Sequence, residues 1–257
     1  MKVLVFAPHP DDECLGASAA LLLAPDRTKV IVVTDGCRGN KERSIEEEAL
    51  VRRRQFENEM DYVKPDSYEW LGVEDTRMSY HQDVVRKIDF TPFTKIFIPW
   101  IESLHPDHRY LSSFCIDAIR RQKADAEVYY YEINAPFHKA SHFIDITSVE
   151  EKKRKLIRFH EDQTEQEDIT LSLNKYRAAQ LLRRKDVKLA ECYLEVDVKS
   201  FCDAPDLLMK LYDIHDDPLV FKSLEEQGIK IKRVMPMNIS LVYNFIKCHF
   251  AAAWADE

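Results

Sequence analysis

The chain has 257 residues, of which 45% are hydrophobic, 32% charged and 11% aromatic. That is enough for one large α/β domain, or for a domain of ~200 residues with a smaller appendage, and it excludes a disordered or fibrous chain. With 37 basic and 45 acidic residues the formal charge is −8, and no basic stretch is interleaved with aromatics, which excludes a nucleic-acid surface.

Lys2 to Ala7 (KVLVFA) and Lys29 to Thr34 (KVIVVT) are apolar strand runs separated by a helical stretch from Asp12 to Leu23, a β-α-β pattern. A helix is expected over Glu46 to Val63, with Leu50, Phe56 and Met60 in helical spacing. Strands follow at Tyr68 to Leu71 and Lys95 to Pro99, a helix at Leu111 to Arg121, and strands at Glu127 to Tyr131 and Phe143 to Ile146. The alternation predicts an α/β fold, Rossmann-like, with a mostly parallel sheet and helices on both faces, because parallel strands need crossover connections. Val149 to His160 and Leu171 to Arg183 read as two charged amphipathic helices. The character changes near Ser200, so a domain over 1–200 and a mainly helical C-terminal extension over 201–257 are expected. The last helix of that extension, about Asn238 to Trp254, carries Ile239, Val242, Ile246, Phe250 and Trp254 at helical spacing.

Only 5 glycines occur, and none forms a G-x-G-x-x-G or a G-x-x-x-x-G-K-[ST] loop, so the usual phosphate cradles are absent. The six cysteines (Cys14, Cys37, Cys115, Cys192, Cys202, Cys248) make no C-x-x-C pair, and the first strand is not preceded by a secretory pattern. Reduced thiols in a cytoplasmic protein are expected. No apolar run approaches the ~20 residues of a membrane-spanning helix.

The chemistry is carried by the segments after the strands: His9-Pro10-Asp11-Asp12-Glu13, then Thr34-Asp35-Gly36, then Gly72 to Asp75, then His105-Pro106-Asp107-His108. In open α/β sheets ligands bind beyond the carboxyl ends of strands, so these segments should meet in one crevice. Taken singly, the acids after His9 are ordinary first-turn helix residues and H-x-x-H is a polar loop. Together, imidazoles and a carboxylate from two strand ends form a divalent-metal set with a position left for water. A hydrolase built on such a set also needs a base and an electrophilic donor, roles that suit Asp11 and His105.

HPDDE at 9–13, TDG at 34–36, Arg54-x-x-Glu57, LGVED at 71–75 and HPDH at 105–108, in this order, resemble the PIG-L/LmbE-like deacetylases. The resemblance spans roughly residues 1–197, with weaker FIDIT at 143–147 and AECYL at 190–194. It implies a zinc-dependent hydrolase that removes an acyl group, commonly acetyl, from an N-acylated amino sugar, often N-acetylglucosamine in a conjugate. Carried over, it implies zinc ligands His9, Asp12 and His108, with Asp11 as general base and His105 as the protonated stabiliser of the oxyanion. Asp107 would orient a neighbouring imidazole, and Arg54 and Asp75 would hold sugar hydroxyls; a surface ion pair and a turn aspartate are the plain alternatives for these two. Where the family often has H-x-S-Q, this chain reads His160-Glu161-Asp162-Gln163, which makes His160 structural.

Tyr131, Glu132 and Asn134 are placed either at the pocket or in packing, and Cys14 and Cys37 are read as buried small residues. The expected partner is a small-molecule or glycoconjugate amino sugar, with self-association left open. Fe(II) and Mn share such ligand sets with zinc. Two other readings stand beside the deacetylase: a noncatalytic sugar-binding scaffold on the same fold, and a metal hydrolase of another bond such as a phosphoester.

Overall fold

The structure, a computed structural model, describes residues 2–198 apart from 134, 135, 138, 139 and 164. The expected extension from 201, its last helix, Cys202, Cys248 and Asn134 lie outside the described residues.

Strands β1 (Val3–Ala7), β2 (Thr28–Thr34), β3 (Ser67–Val73), β4 (Lys95–Pro99), β5 (Glu127–Tyr131), β6 (His142–Asp145) and β7 (Ala190–Val196) make one sheet in the order β3-β2-β1-β4-β5-β7-β6. β1 is buried at all five positions, as a continuous apolar run must be when both faces of a parallel sheet are covered. The four pairings from β3 to β5 are parallel, and β7 pairs antiparallel with both β5 and β6. The mostly parallel α/β sheet is therefore as expected.

The helices are α1 (Asp12–Gly16), α2 (Ser18–Leu23), α3 (Ile45–Val63), α4 (Gln82–Arg86), α5 (Pro106–Gln122), α6 (Glu150–Phe159) and α7 (Glu165–Ala179). Right-handed crossovers place the connections from β1 to β2 and β2 to β3 on one face and that from β4 to β5 on the other. The direction of winding reverses between β1 and β4, which opens a crevice at their carboxyl ends. None of the described helices is long and apolar enough to cross a membrane.

Three local expectations change. The single helix over Asp12 to Leu23 is broken at Ala17 (φ −132°, ψ 28°). Glu191 of β7 reaches the break and accepts from Ser18 N at 3.1 Å, Ser18 Oγ at 2.5 Å and Ala19 N at 2.9 Å. A carboxylate there satisfies the free N–H groups of a new helix start. β7 itself is a strand where only a motif was read, because the buried Glu191 interrupts its apolar run. Leu50, expected to pack, is exposed, whereas Phe56 and Met60 are buried.

Lys153 of α6 is fully buried and donates to Glu191 Oε1 at 2.6 Å and to Leu15 O at 3.0 Å. Lys153→Met would leave Glu191 charged in a dry site without its cation. Unfolding by denaturant should then show a loss of about 3–5 kcal/mol, the usual cost of halving a buried pair. A change within ~0.5 kcal/mol, typical of a surface position, would mean that the pair does not hold α6 to the sheet.

Candidate metal centre and catalytic crevice

The motif residues first build the loops. Pro8 O, at the end of β1, accepts from Thr34 N at 2.9 Å and Thr34 Oγ1 at 2.7 Å. Asp35 Oδ1 accepts from Asp75 N at 3.0 Å and Cys37 N at 3.1 Å, fastening the loop after β2 to the loop after β3. Gly36 has φ +61°, and a Cβ there would lie 2.9 Å from Pro10 Cδ and 3.1 Å from Arg52 Nε. Only glycine meets both requirements at this turn. Asp107 Oδ2 accepts from Thr76 N at 2.7 Å and Oδ1 from Met78 N at 3.3 Å, so the loop after β3 is also tied to the start of α5.

Within this frame three donor atoms converge. His9 Nδ1 lies 3.1 Å from Asp12 Oδ2, His108 Nε2 lies 3.2 Å from the same oxygen, and the two nitrogens are 3.3 Å apart. Donors bound tetrahedrally at ~2.0–2.1 Å sit about 3.3 Å from one another, so this triangle has the size of one face of a zinc-type site. The outer atoms are held as well. His9 Nε2 donates to Asp75 Oδ1 at 3.2 Å and faces Asp107 Oδ2 at 3.4 Å, while His108 Nδ1 pairs with Ser103 Oγ at 3.1 Å. Carboxylate and hydroxyl partners of this kind fix the ring and turn its other nitrogen to the metal.

The electrostatics favour a cation at the same place. Burial alone would lower the His9 pKa, yet Asp107, Asp12 and Asp75 overrule it and raise it well above the ordinary value. Burial likewise works against ionised Asp12, but His108 and His9 hold its carboxyl below the usual range. The residues present therefore fit a divalent ion by donor chemistry, spacing and field. His105 is near enough to be a further donor, since ligand atoms of His9, His105 and His108 lie within 4.8 Å of one another.

Asp11, between His9 and Asp12 in the first loop, is buried and has φ +131° and ψ −27°. Burial raises its pKa against the opposing pull of Arg52. Arg52 Nη2 donates to Asp11 Oδ2 at 2.9 Å and also to Pro10 O. Arg52, Gln55, Phe56, Glu59 and Met60 form the buried face of α3, with the three- and four-residue spacing of one helix side. Arg54 is two residues further round the helix and exposed. The arginine at the crevice is therefore Arg52 rather than the expected Arg54.

Asp75 does line the crevice, but its oxygens are engaged by His9 Nε2 and by Arg38 N at 3.2 Å. Instead of being open to a sugar hydroxyl it serves as the carboxylate partner of His9. Asp107 orients an imidazole, and that imidazole is His9. His105 caps α5, its Nδ1 accepting from Asp107 N at 3.3 Å, which puts the ring hydrogen on Nε2. Burial, with His9 and His108 nearby, pushes its pKa down to about 4 against Asp107 and Asp75. The expected protonated His105 is thus replaced by a neutral imidazole with an Nε2–H donor.

Tyr131 is fully buried and donates to Phe6 O at 2.6 Å, which makes it core. Glu132 is buried against Arg177 and Cys192, and His160 is buried against Glu59. Cys14 and Cys37 are buried and free, as expected. Sequence reasoning missed Ser103 and Arg52: a serine two residues before a motif has no signal, and Arg52 is hidden in a run of three arginines.

The crevice has a volume of about 410 Å³ and is lined by His9, Asp11, Asp12, Arg38, Arg52, Asp75, His105 and His108 among others. That is within the ~300–1,000 Å³ of small-ligand sites. The sheet thus presents two histidines and a carboxylate at its switch point with a second carboxylate beside them, a donor set that suits a divalent ion.

The model of the PIG-L family, described as GlcNAc-PI de-N-acetylase, matches residues 4–119 of this chain. The diacetylchitobiose deacetylase of Thermococcus kodakarensis is 28% identical over 192 residues, covering 63% of this chain and 70% of that protein. Among solved structures, the N,N'-diacetylchitobiose deacetylase of Pyrococcus horikoshii aligns with a TM-score of 0.67 at 22% identity, over 80% of this chain and 88% of that one. The 4-carboxy-2-hydroxymuconate hydratase of Pseudomonas putida aligns with a TM-score of 0.63 at 20% identity, over 76% and 96%. The two structural likenesses are ones of fold, and the second shows that this fold hosts more than one reaction.

Proposed function

We propose that the protein is a metal-dependent N-deacetylase of a small amino sugar or amino-sugar conjugate. The observation that carries this reading is the triangle of His9 Nδ1, Asp12 Oδ2 and His108 Nε2 with Asp11 beside it in one polar crevice. A divalent ion of the zinc type held by these three would supply Lewis-acid polarisation and make water acidic at neutral pH.

Asp11 takes the proton of the attacking water: Arg52 engages one of its oxygens, and the other is left for this task. The new C–O bond forms as charge gathers on the amide oxygen, and His105 Nε2–H donates to that oxygen. As the C–N bond breaks, Asp11 returns the proton to the leaving nitrogen, giving acetate and a free amine. Asp75 and Asp107 keep His9 oriented through both steps. The charged lining suits a polyhydroxylated substrate, and the likeness to diacetylchitobiose deacetylase and to the GlcNAc-PI family supports an N-acetylglucosamine unit. The free Cys14, Cys37, Cys115 and Cys192 support a cytoplasmic location. A noncatalytic scaffold would have no need of the intact base.

The test is release of primary amine and acetate from N-acetylglucosamine, N,N'-diacetylchitobiose and GlcNAc-phosphatidylinositol by metal-loaded protein. We expect equimolar products from at least one of these, loss of turnover on chelation and recovery with zinc. Turnover undiminished in a verified metal-free preparation, or no amine from any of the three, would overturn the reading.

A further inference from the structure

Behind Asp11 lies a second polar cluster that takes no part in the proposed reaction steps. Glu13 and Cys14 of α1, Glu59 of α3 and His160 at the end of α6 are all completely buried. His160 Nε2 donates to Glu59 Oε2 at 2.8 Å. The same nitrogen lies 4.0 Å from Glu13 Oε1, so the two carboxyl groups meet around one imidazole, and burial raises the pKa of both. Glu13 Oε2 in turn accepts from Asp11 N at 3.2 Å, and Cys14 Sγ donates to Asp11 O at 3.1 Å. The chain of contacts ends on the one residue of the crevice loop after β1 with a strained backbone, Asp11 at φ +131°, a conformation that persists only where the surroundings over-determine it.

Hydrogen-bond valence requires one proton in the cluster. Oε1 of Glu13 and Oε1 of Glu59 are buried without any N–H or O–H partner, and two carboxylates cannot bond to each other without a hydrogen between them. Glu13 Oε2 accepts from Asp11 N and Glu59 Oε2 from His160, so the hydrogen is shared between the two remaining Oε1 atoms. Glu59 lies outside the motifs that carry the family resemblance.

We propose that Glu59 is a positioning residue for Asp11: held by His160, it shares one hydrogen with Glu13, and Glu13 pins the Asp11 backbone so that the Asp11 carboxylate faces the reacting water. This rests on the reading of Asp11 as the general base.

Three substitutions in the full chain test it, with kcat, KM and metal content measured on each preparation. Glu59→Met keeps the volume but gives no hydrogen bond; kcat should fall on the order of 10²-fold, the effect of a misplacement near 1 Å, with KM and metal content unchanged. Glu59→Gln can still donate to Glu13 and accept from His160, so it should bring kcat back to within a few-fold of wild type. Wild-type kcat in Glu59→Met, or Glu59→Gln as slow as Glu59→Met, would overturn the proposal. So would loss of a second equivalent of metal in Glu59→Gln, which would make the cluster an ion site instead.

Should Glu59→Met not fold, His160→Phe withdraws the Nε2–H from the far side, and the same kcat loss at constant KM is expected; an unchanged kcat would refute the relay. A crystal structure of either variant answers the question without turnover. Asp11 should leave its positive φ, and an Asp11 unmoved there would count against the proposal even if the deacetylase reading itself had failed.

Discussion

Asp11→Asn should keep the metal and lower kcat by on the order of 10³-fold, inside the ~10²–10⁴ range for loss of a general acid-base group. The amide has the shape of the carboxylate, and its oxygen can still accept from Arg52, which donates to Asp11 Oδ2 at 2.9 Å. The triangle of donors is untouched, because Asp11 contributes none of its three atoms. What disappears is an oxygen able to take a proton from water and return it to the leaving nitrogen. Metal stoichiometry and initial rate, measured on one preparation, are the required pair. A wild-type rate at full metal content would remove Asp11 from the chemistry.

Removing a vertex of the triangle should do something different. Asp12→Ala or His108→Ala leaves two donors, so the protein should lose its metal on dialysis, and activity should fall below detection until metal is added back in large excess. Asp12→Ala should be the more severe, since Asp12 Oδ2 also accepts from His9 N at 2.9 Å and so holds the loop that presents His9. His105→Ala is the control that separates ligand from donor. With its metal retained, kcat should fall by about 10²–10³, as for loss of one oxyanion donor. Metal lost from His105→Ala would instead make His105 a fourth ligand, for which its distance from His9 and His108 leaves room.

The candidate site was legible to the extent that it consists of residues placed directly after apolar strands. HPDDE and HPDH stand after β1 and β4, and β1 and β4 are adjacent at the reversal of winding, so placement of the strands brings the two motifs together. Arg52 and Arg54 show where such reading stops. Both are arginines on one predicted helix, and a two-residue difference, or about 200° of rotation, decides which is buried. Asp75 was found as a motif residue, but its bonding to His9 depends on the distance between two loops, which no spacing in the chain expresses.

By itself, the sequence determined the β-α-β alternation, the parallel core of the sheet and the identity of the residues gathered at its carboxyl edge. These follow from local periodicity and from the handedness of crossovers, both properties of short stretches of chain. Only the tertiary structure decided that the first helix is split at Ala17, that Glu191 from the far end of the domain fills the split, that His105 is neutral, and that Glu59 and His160 stand behind Asp11. Each is a matter of charge and hydrogen bonds between groups remote in sequence and buried together. In a dry interior such groups must satisfy one another, and their partners become visible only when the chain has brought them into contact.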